Sequence, residues 1–306
     1  MLHTLKRKLS GETVFKRLSL APLVVLVVLA LAVPMGLMLY LSLHDWTVYL
    51  GPWWRAPFVG LGNFVDGLAN ARFWSAVART FAFAAVSSTL SELLGLGLAL
   101  LMYRPFAGRK LFYMTFITPM MIVPVVVAYT FELLLVGQGP LNAILSWFVP
   151  GDVVINWLAG ATTAFAALVM ADVWNWTPLV FLIVMAGLVG MQQEPLQAAR
   201  LLGASRWQVF RWLQLPALRS VLVLDFVLRF LEALKEFDKV FVLTKGGPVT
   251  ATETISMYLY DVGWVFFRIS QGAALSYIVL GLTGVVLFVF ISVLLRERRT
   301  LGGTRS

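Results

Sequence analysis

Residues 191–219 read MQQEPLQAARLLGASRWQVFRWLQLPALR. The stretch separates two apolar runs, and it has no apolar run of its own long enough to cross a bilayer. Gly203 sits near its middle, and glycine is the residue best able to take a left-handed turn, so the pattern reads as two short helices broken there. Ala198 and Ala199 are small enough for a partner to approach closely, whereas Trp207, Phe210 and Trp212 offer apolar anchors. A competing reading is a single amphipathic helix lying on a membrane surface.

The flanking sequence sets the class. Of 306 residues, 60% are apolar and 13% charged, against roughly 45–50% and about 25% in ordinary soluble chains. The mean hydropathy is +0.86. About 20 apolar residues cross the hydrocarbon layer as a helix. Six runs meet that length: residues 20–43, 73–102, 111–137, 161–190, 220–244 and 271–295. The expectation is an all-α, polytopic membrane protein with six transmembrane helices. The first run exceeds a signal-peptide core and no A-x-A-like site follows it, so it reads as a span.

Basic residues orient the spans. Of 24 Lys and Arg, sixteen fall before residue 20, in 103–110, in 191–219 and after residue 295, and four fall in the opposite loops. Such a bias puts both termini and the 191–219 loop in the cytoplasm. The +9 net charge is then a topology signal, and no nucleic-acid partner is expected. The expected division is a cytoplasmic segment 1–19, a membrane domain 20–295 and a basic cytoplasmic tail 296–306.

Much chemistry is excluded. The absence of cysteine removes disulfides, thiolate metal sites and cysteine nucleophiles, and two histidines, His3 and His44, do not make a His-rich metal centre. No P-loop, G-x-S-x-G or H-E-x-x-H segment occurs, so neither an enzyme nor a bound cofactor or metal is expected.

Charges inside spans are the default functional signal, each costing roughly 2.5–3.5 kcal/mol at the helix centre. The run 220–244 holds seven. At about 100° per residue, Asp225, Arg229, Glu232, Glu236 and Lys239 fall within about 80° of one another, with Lys235 nearby. Alternating signs allow mutual pairing, so the stripe reads either as a packed, self-neutralised seam or as one wall of a transport path. The run 161–190 adds Asp172, Trp174, Asn175, Trp176 and Pro178; indoles beside a carboxylate and an amide suit a sugar's C–H faces and hydroxyls. Pro178 is expected to kink or loosen its helix, and Pro119 and Pro124 to break the third span.

The stretch 191–219 resembles the coupling loop of ABC importer permeases, whose pattern is E-A-A-x-x-x-G followed further on by L-P. Gln197-Ala198-Ala199, Gly203-Ala204, Phe210 and Leu215-Pro216 carry the match. The resemblance extends to the carbohydrate-type permeases, those similar to the maltose and glycerol-phosphate systems. It runs through Phe58-Val59-Gly60-Leu61-Gly62-Asn63-Phe64, Asp172-Val173-Trp174 with Pro178, and Phe237-Asp238 with Leu243-Thr244-Lys245-Gly246-Gly247-Pro248. Two departures stand out: Gln197 replaces the usual glutamate, and Leu202 the usual acid before the glycine.

The resemblance implies a type I permease core. The chain would be one transmembrane subunit beside a second permease subunit, two ATPase subunits that bind the ATP, and an extracytoplasmic solute-binding protein, in a bacterial inner membrane. It assigns ATPase coupling to Gln197, Ala198, Ala199, Gly203, Ala204, Phe210 and Pro216. Contact with the binding protein falls to Lys245, Gly246, Gly247 and Pro248. The sugar path falls to Asp172, Asn175, Trp176, Leu179, Arg229, Ala233 and Met120. The competing class is a stand-alone ion-coupled secondary transporter using the charged stripe as a relay, which leaves the 191–219 loop unexplained.

Overall fold

A computed structural model describes residues 2–149, 151 and 153–302. Among them the protein is helical throughout, and its one β-type feature is the isolated antiparallel bridge between His44 and Phe58. Two compact units emerge, residues 1–69 with 260–281, and residues 70–259 with 282–306.

The first unit is built on α1 (Leu2–Ser42), α2 (Gly62–Ala69) and the opening turns of a long C-terminal helix. Asn63 ties α2 to the end of α1, its Nδ2 donating to the carbonyls of Ser42 (3.0 Å) and His44 (2.9 Å). Gly67 meets Leu275 so closely that a Cβ there would lie 2.7 Å from Leu275 Cδ2. Within α1, the apolar segment Leu18–Ser42 buries none of its spanning window, which leaves its Leu and Val side chains for lipid.

The second unit centres on α3 (Ala71–Met102) packed against α7 (Ala161–Val189). The seam on α3 is a stripe of small buried residues at helical spacing: Ala76, Thr80, Ala84, Ser87, Ser91, Gly95 and Ala99. Lipid tails provide no hydrophobic drive between helices, so close van der Waals approach must hold the pair. Gly95 is the tightest point, where a Cβ would lie 2.5 Å from Val180 Cγ1. Below it Ala99, Met102, Val180, Phe181, Val184 and Leu188 form one buried cluster.

Between these helices run α4 (Arg109–Met121), α5 (Pro124–Leu134) and the short α6 (Pro140–Ser146). The first two form a bent pair, turned by 102° where Pro124 opens α5. Pro178, in contrast, leaves α7 continuous. After α7 come α8 (Gln193–Leu201), α9 (Arg206–Val209), a π turn over Phe210–Gln214, and α10 (Leu215–Leu234). Pro216 explains the π turn: it lacks an N–H and crowds the preceding turn, and Leu215 N–H accordingly donates back to Phe210 O. The chain closes with α11 (Ile255–Tyr260) and α12 (Ile269–Gly302).

Four helices among the described residues are individually long and apolar enough to span a membrane, and the bent pair makes a fifth candidate. The expected span 220–244 is not a single helix. It breaks after Leu234, with Lys235 as C-cap, and resumes as a π turn over Val240–Thr244. Only Asp225, Arg229 and Glu232 therefore keep the helical spacing that the periodicity assumed. Past residue 295, α12 continues to Gly302, and the final four residues of the expected tail lie outside the described residues.

Candidate functional site

Helix α7 brings Asp172 into the middle of the second unit, where its carboxylate collects three donors. Oδ1 accepts from Lys239 Nζ at 3.0 Å, while Oδ2 accepts from Arg229 Nη2 and Ser87 Oγ. Ser87 Oγ in turn accepts from Arg229 Nη2 at 3.0 Å. Lys239 Nζ also donates to Glu236 Oε2 at 2.6 Å, and Glu236 Oε1 takes the Lys239 backbone N–H at 2.9 Å. Asp172 and Lys239 are fully buried and Arg229 is 2% exposed. Two cations and two anions thus cancel inside one cluster, the arrangement that makes buried charge tolerable.

The helix break creates this geometry. Had α10 continued, Lys239 would lie nearly three turns beyond Arg229. Because it ends at Leu234, the chain folds Glu236 and Lys239 back onto the carboxylate that Arg229 already reaches. Trp176, one turn past Asp172 on α7, lies with its ring 5.5 Å from the Arg229 guanidinium carbon. Asn175 faces elsewhere: its Nδ2 donates to Pro119 O at 2.7 Å, occupying a carbonyl at the end of α4 where the bend begins.

Beside the cluster is a cavity of ≈ 290 Å³ lined by Pro124, Trp176, Glu232, Lys235, Glu236, Phe237 and Asp238. It offers an aromatic wall, three carboxylates and one ammonium, with Glu232 and Lys235 paired at 2.9 Å. Of the seven residues expected on the sugar path, Asp172 and Arg229 are joined, Trp176 stands beside them and lines the cavity, and Asn175 holds the bend. Ala233 is buried, whereas Leu179 and Met120 are half-buried; none of the three lines this cavity. Ser87 was not expected at the site, and Glu236 and Lys239 were expected on the charged stripe but not on the sugar path. Ser87 carried no signal distinct from other small residues of its span, and the other two lay past a break that periodicity hides.

The loop after α7 has the anticipated two-helix form. Gly203 takes φ +86°, Ala204 N–H donates to Ala199 O (3.0 Å) and Gly203 N–H to Arg200 O (3.1 Å), the paired bonds of a Schellman cap. Ser205 and Gln208 then form a capping box that starts α9. Gln197 and Ala198 are exposed, Ala199, Ala204 and Phe210 are half-buried, and Pro216 is exposed in the first turn of α10. Leu201 and Leu202 are each 89% exposed.

At the far end, residues 245–248 make a tight turn. Lys245 and Gly246 have φ of 50° and 80°, and Gly247 N–H donates to Thr244 O at 2.8 Å. Thr252 Oγ1 donates to Gly247 O at 2.7 Å. Glu253 gathers Arg72 and Arg79 from α3, and Thr254 Oγ1 donates to Glu236 O at 3.1 Å. The segment that follows the turn is therefore bonded both to α3, through Glu253, and to the buried charge cluster, through Thr254.

The family model for the binding-protein-dependent transport system inner membrane component matches residues 92–300. A probable ABC transporter permease, y4oQ of Sinorhizobium fredii, is 36% identical over 258 residues, covering 84% of this chain and 82% of the relative. The trehalose/maltose transport system permease protein MalF of Thermococcus litoralis is 35% identical, covering 80% of this chain and 81% of its own. The trehalose transport system permease protein SugA of Mycobacterium tuberculosis is 33% identical over 89% and 85%. In fold, the chain is similar to a bacterial ABC transporter involved in import of the acidic polysaccharide alginate, at TM-score 0.81, 19% identity and coverage of 96% and 99%. The chain belongs to the binding-protein-dependent transport system inner membrane component family.

Proposed function

We propose that this protein is one of two permease subunits of an ATP-driven importer for a neutral carbohydrate. It works with a second permease, two ATPase subunits that bind and hydrolyse ATP, and an extracytoplasmic solute-binding protein; it performs no covalent chemistry itself. The observation that carries the reading is the 33–36% identity, over at least 80% of the chain, to permeases two of which are named for trehalose or maltose.

The chemistry of the cavity supports a sugar. Trp176 offers an apolar face for C–H groups, and the carboxylates of Glu232, Glu236 and Asp238 accept from hydroxyls. An anionic solute is disfavoured because the buried cation beside the cavity, Arg229, is already paired with Asp172. On the cytoplasmic side, by the distribution of basic residues, the exposed edge formed by Gln197, Ala198, Leu201 and Leu202 meets the ATPase. On the outer side, the Lys245–Pro248 turn receives the binding protein.

The test is uptake into vesicles holding the purified assembly. Uptake that requires internal ATP and the binding protein, and persists with an ionophore, is the expected result. Uptake that collapses with the ion gradient overturns it in favour of a secondary transporter.

A further inference from the structure

The second unit has a larger cavity, ≈ 460 Å³, where the end of α3 meets α8 and α9. Arg104 enters it from the segment after α3, Arg200 from α8 and Arg206 from α9; Gln214, Phe210 and Leu101 complete the part that matters here. No carboxylate lines it. Among the described residues none of the three arginines has an ion-pair partner. Three guanidinium groups around one cavity repel one another, and each offers a planar fork of donors suited to phosphate.

The surroundings narrow the ligand. Leu101 belongs to the last turn of the α3 span and is 71% exposed, so the rim is lipid-facing and apolar. Arg200 lies one turn after the buried Leu196 on α8 and is itself exposed, as are Arg104 and Arg206, so all three guanidinium groups are open to an incoming ligand. Leu201 and Leu202 do not line the cavity. Ala204 and Phe210 also line the cavity, so it adjoins the loop on one side and the exposed Leu101 of the span on the other. Its volume falls in the roughly 300–1,000 Å³ range of small-ligand sites.

We propose that this cavity binds the phosphate headgroup of an anionic phospholipid, with Arg104, Arg200 and Arg206 around the phosphate and the acyl chains leaving along Leu101. Basic pockets between spanning helices on the cytoplasmic side are suited to such headgroups. The proposal rests on the orientation that puts residues 191–219 in the cytoplasm.

The test exchanges the purified full-length chain, with whatever subunits accompany it, into phosphatidylglycerol or phosphatidylcholine and counts retained lipid by native mass spectrometry. Phosphatidylglycerol is expected to be retained selectively, with affinity falling about fivefold for each arginine changed to glutamine. Arg206→Lys, which keeps the charge and loses the fork, should retain most of the binding and serves as the folding control. Equal retention by Arg200→Gln/Arg206→Gln overturns the proposal. So does displacement of the lipid by millimolar inorganic phosphate, which would make this a soluble-anion site. Loss of ATPase subunits from that variant with lipid retention unchanged would mean that the arginines meet acids of the ATPase instead. Because lipid is counted on this chain even when no ATPase co-purifies, failure here is separable from failure of the importer reading.

Discussion

Asp172 and Lys239, 67 residues apart in sequence, meet at 3.0 Å with neither side chain exposed to solvent. This contact closes a four-charge cluster linking α7, α10 and the segment beyond the α10 break. Each charge is balanced only while the others are present.

Lys239→Met should therefore leave Glu236 without its cation and the buried cluster with one negative charge in excess, lowering stability by about 3–5 kcal/mol. The expected observation is a lower melting temperature of the detergent-solubilised protein. Lys239→Met combined with Glu236→Gln, which restores neutrality, should recover part of the loss. An unchanged melting temperature in the single variant would show that the cluster does not hold the fold.

Gly95→Val addresses packing alone. A side chain there collides with Val180, whose Cγ1 would lie 2.5 Å from the new Cβ, so α3 and α7 must separate. Overpacking of this kind costs about 1–3 kcal/mol. Yield of folded, monodisperse protein is expected to fall, and Val180→Ala should restore it in part.

Trp176 joins the cluster to the cavity. Trp176→Ala should raise the apparent KM for the transported sugar about tenfold, equivalent to roughly 1.4 kcal/mol of lost stacking. Trp176→Phe should sit in between. Kinetics of uptake in vesicles read both, and a KM unaffected by the alanine would remove Trp176 from the path.

In the loop proposed to meet the ATPase, Gln197 is exposed on α8 where the pattern that the loop resembles has glutamate. Gln197→Glu is expected to leave sugar-stimulated ATP hydrolysis intact or raise it, since a side chain of equal length regains its charge. Complete loss of transport would count against the assignment of this edge to the ATPase.

How much was readable beforehand follows from what each element needs. The loop 191–219 was legible because Gly203 announces its own turn and small Ala and bulky aromatic positions stand on either side of it. The bend between α4 and α5 was legible through Pro119 and Pro124. The end of α10 was not: no Gly or Pro marks Lys235, and the charges on both sides of it fit one helical wheel. Periodicity therefore drew a single stripe where the chain makes a break and a return. Asp172, Trp176 and Arg229 were recognisable as charged or aromatic residues in apolar runs. Ser87, which bridges Arg229 to Asp172, looks like any other small residue of a tightly packed span.

Glu253 holds Arg72 and Arg79 together at one end of α3. That helix runs unbroken for 32 residues, about 48 Å at 1.5 Å per residue, and carries Leu100 and Leu101 at its other end, beside the arginine-lined cavity. A displacement of the 245–253 segment would thus act on a stiff rod anchored at two points one on each side of a turn and more of helix. Such a rod tilts instead of flexing, so a small lateral shift at one membrane face becomes an angular swing at the other without any helix unwinding between them.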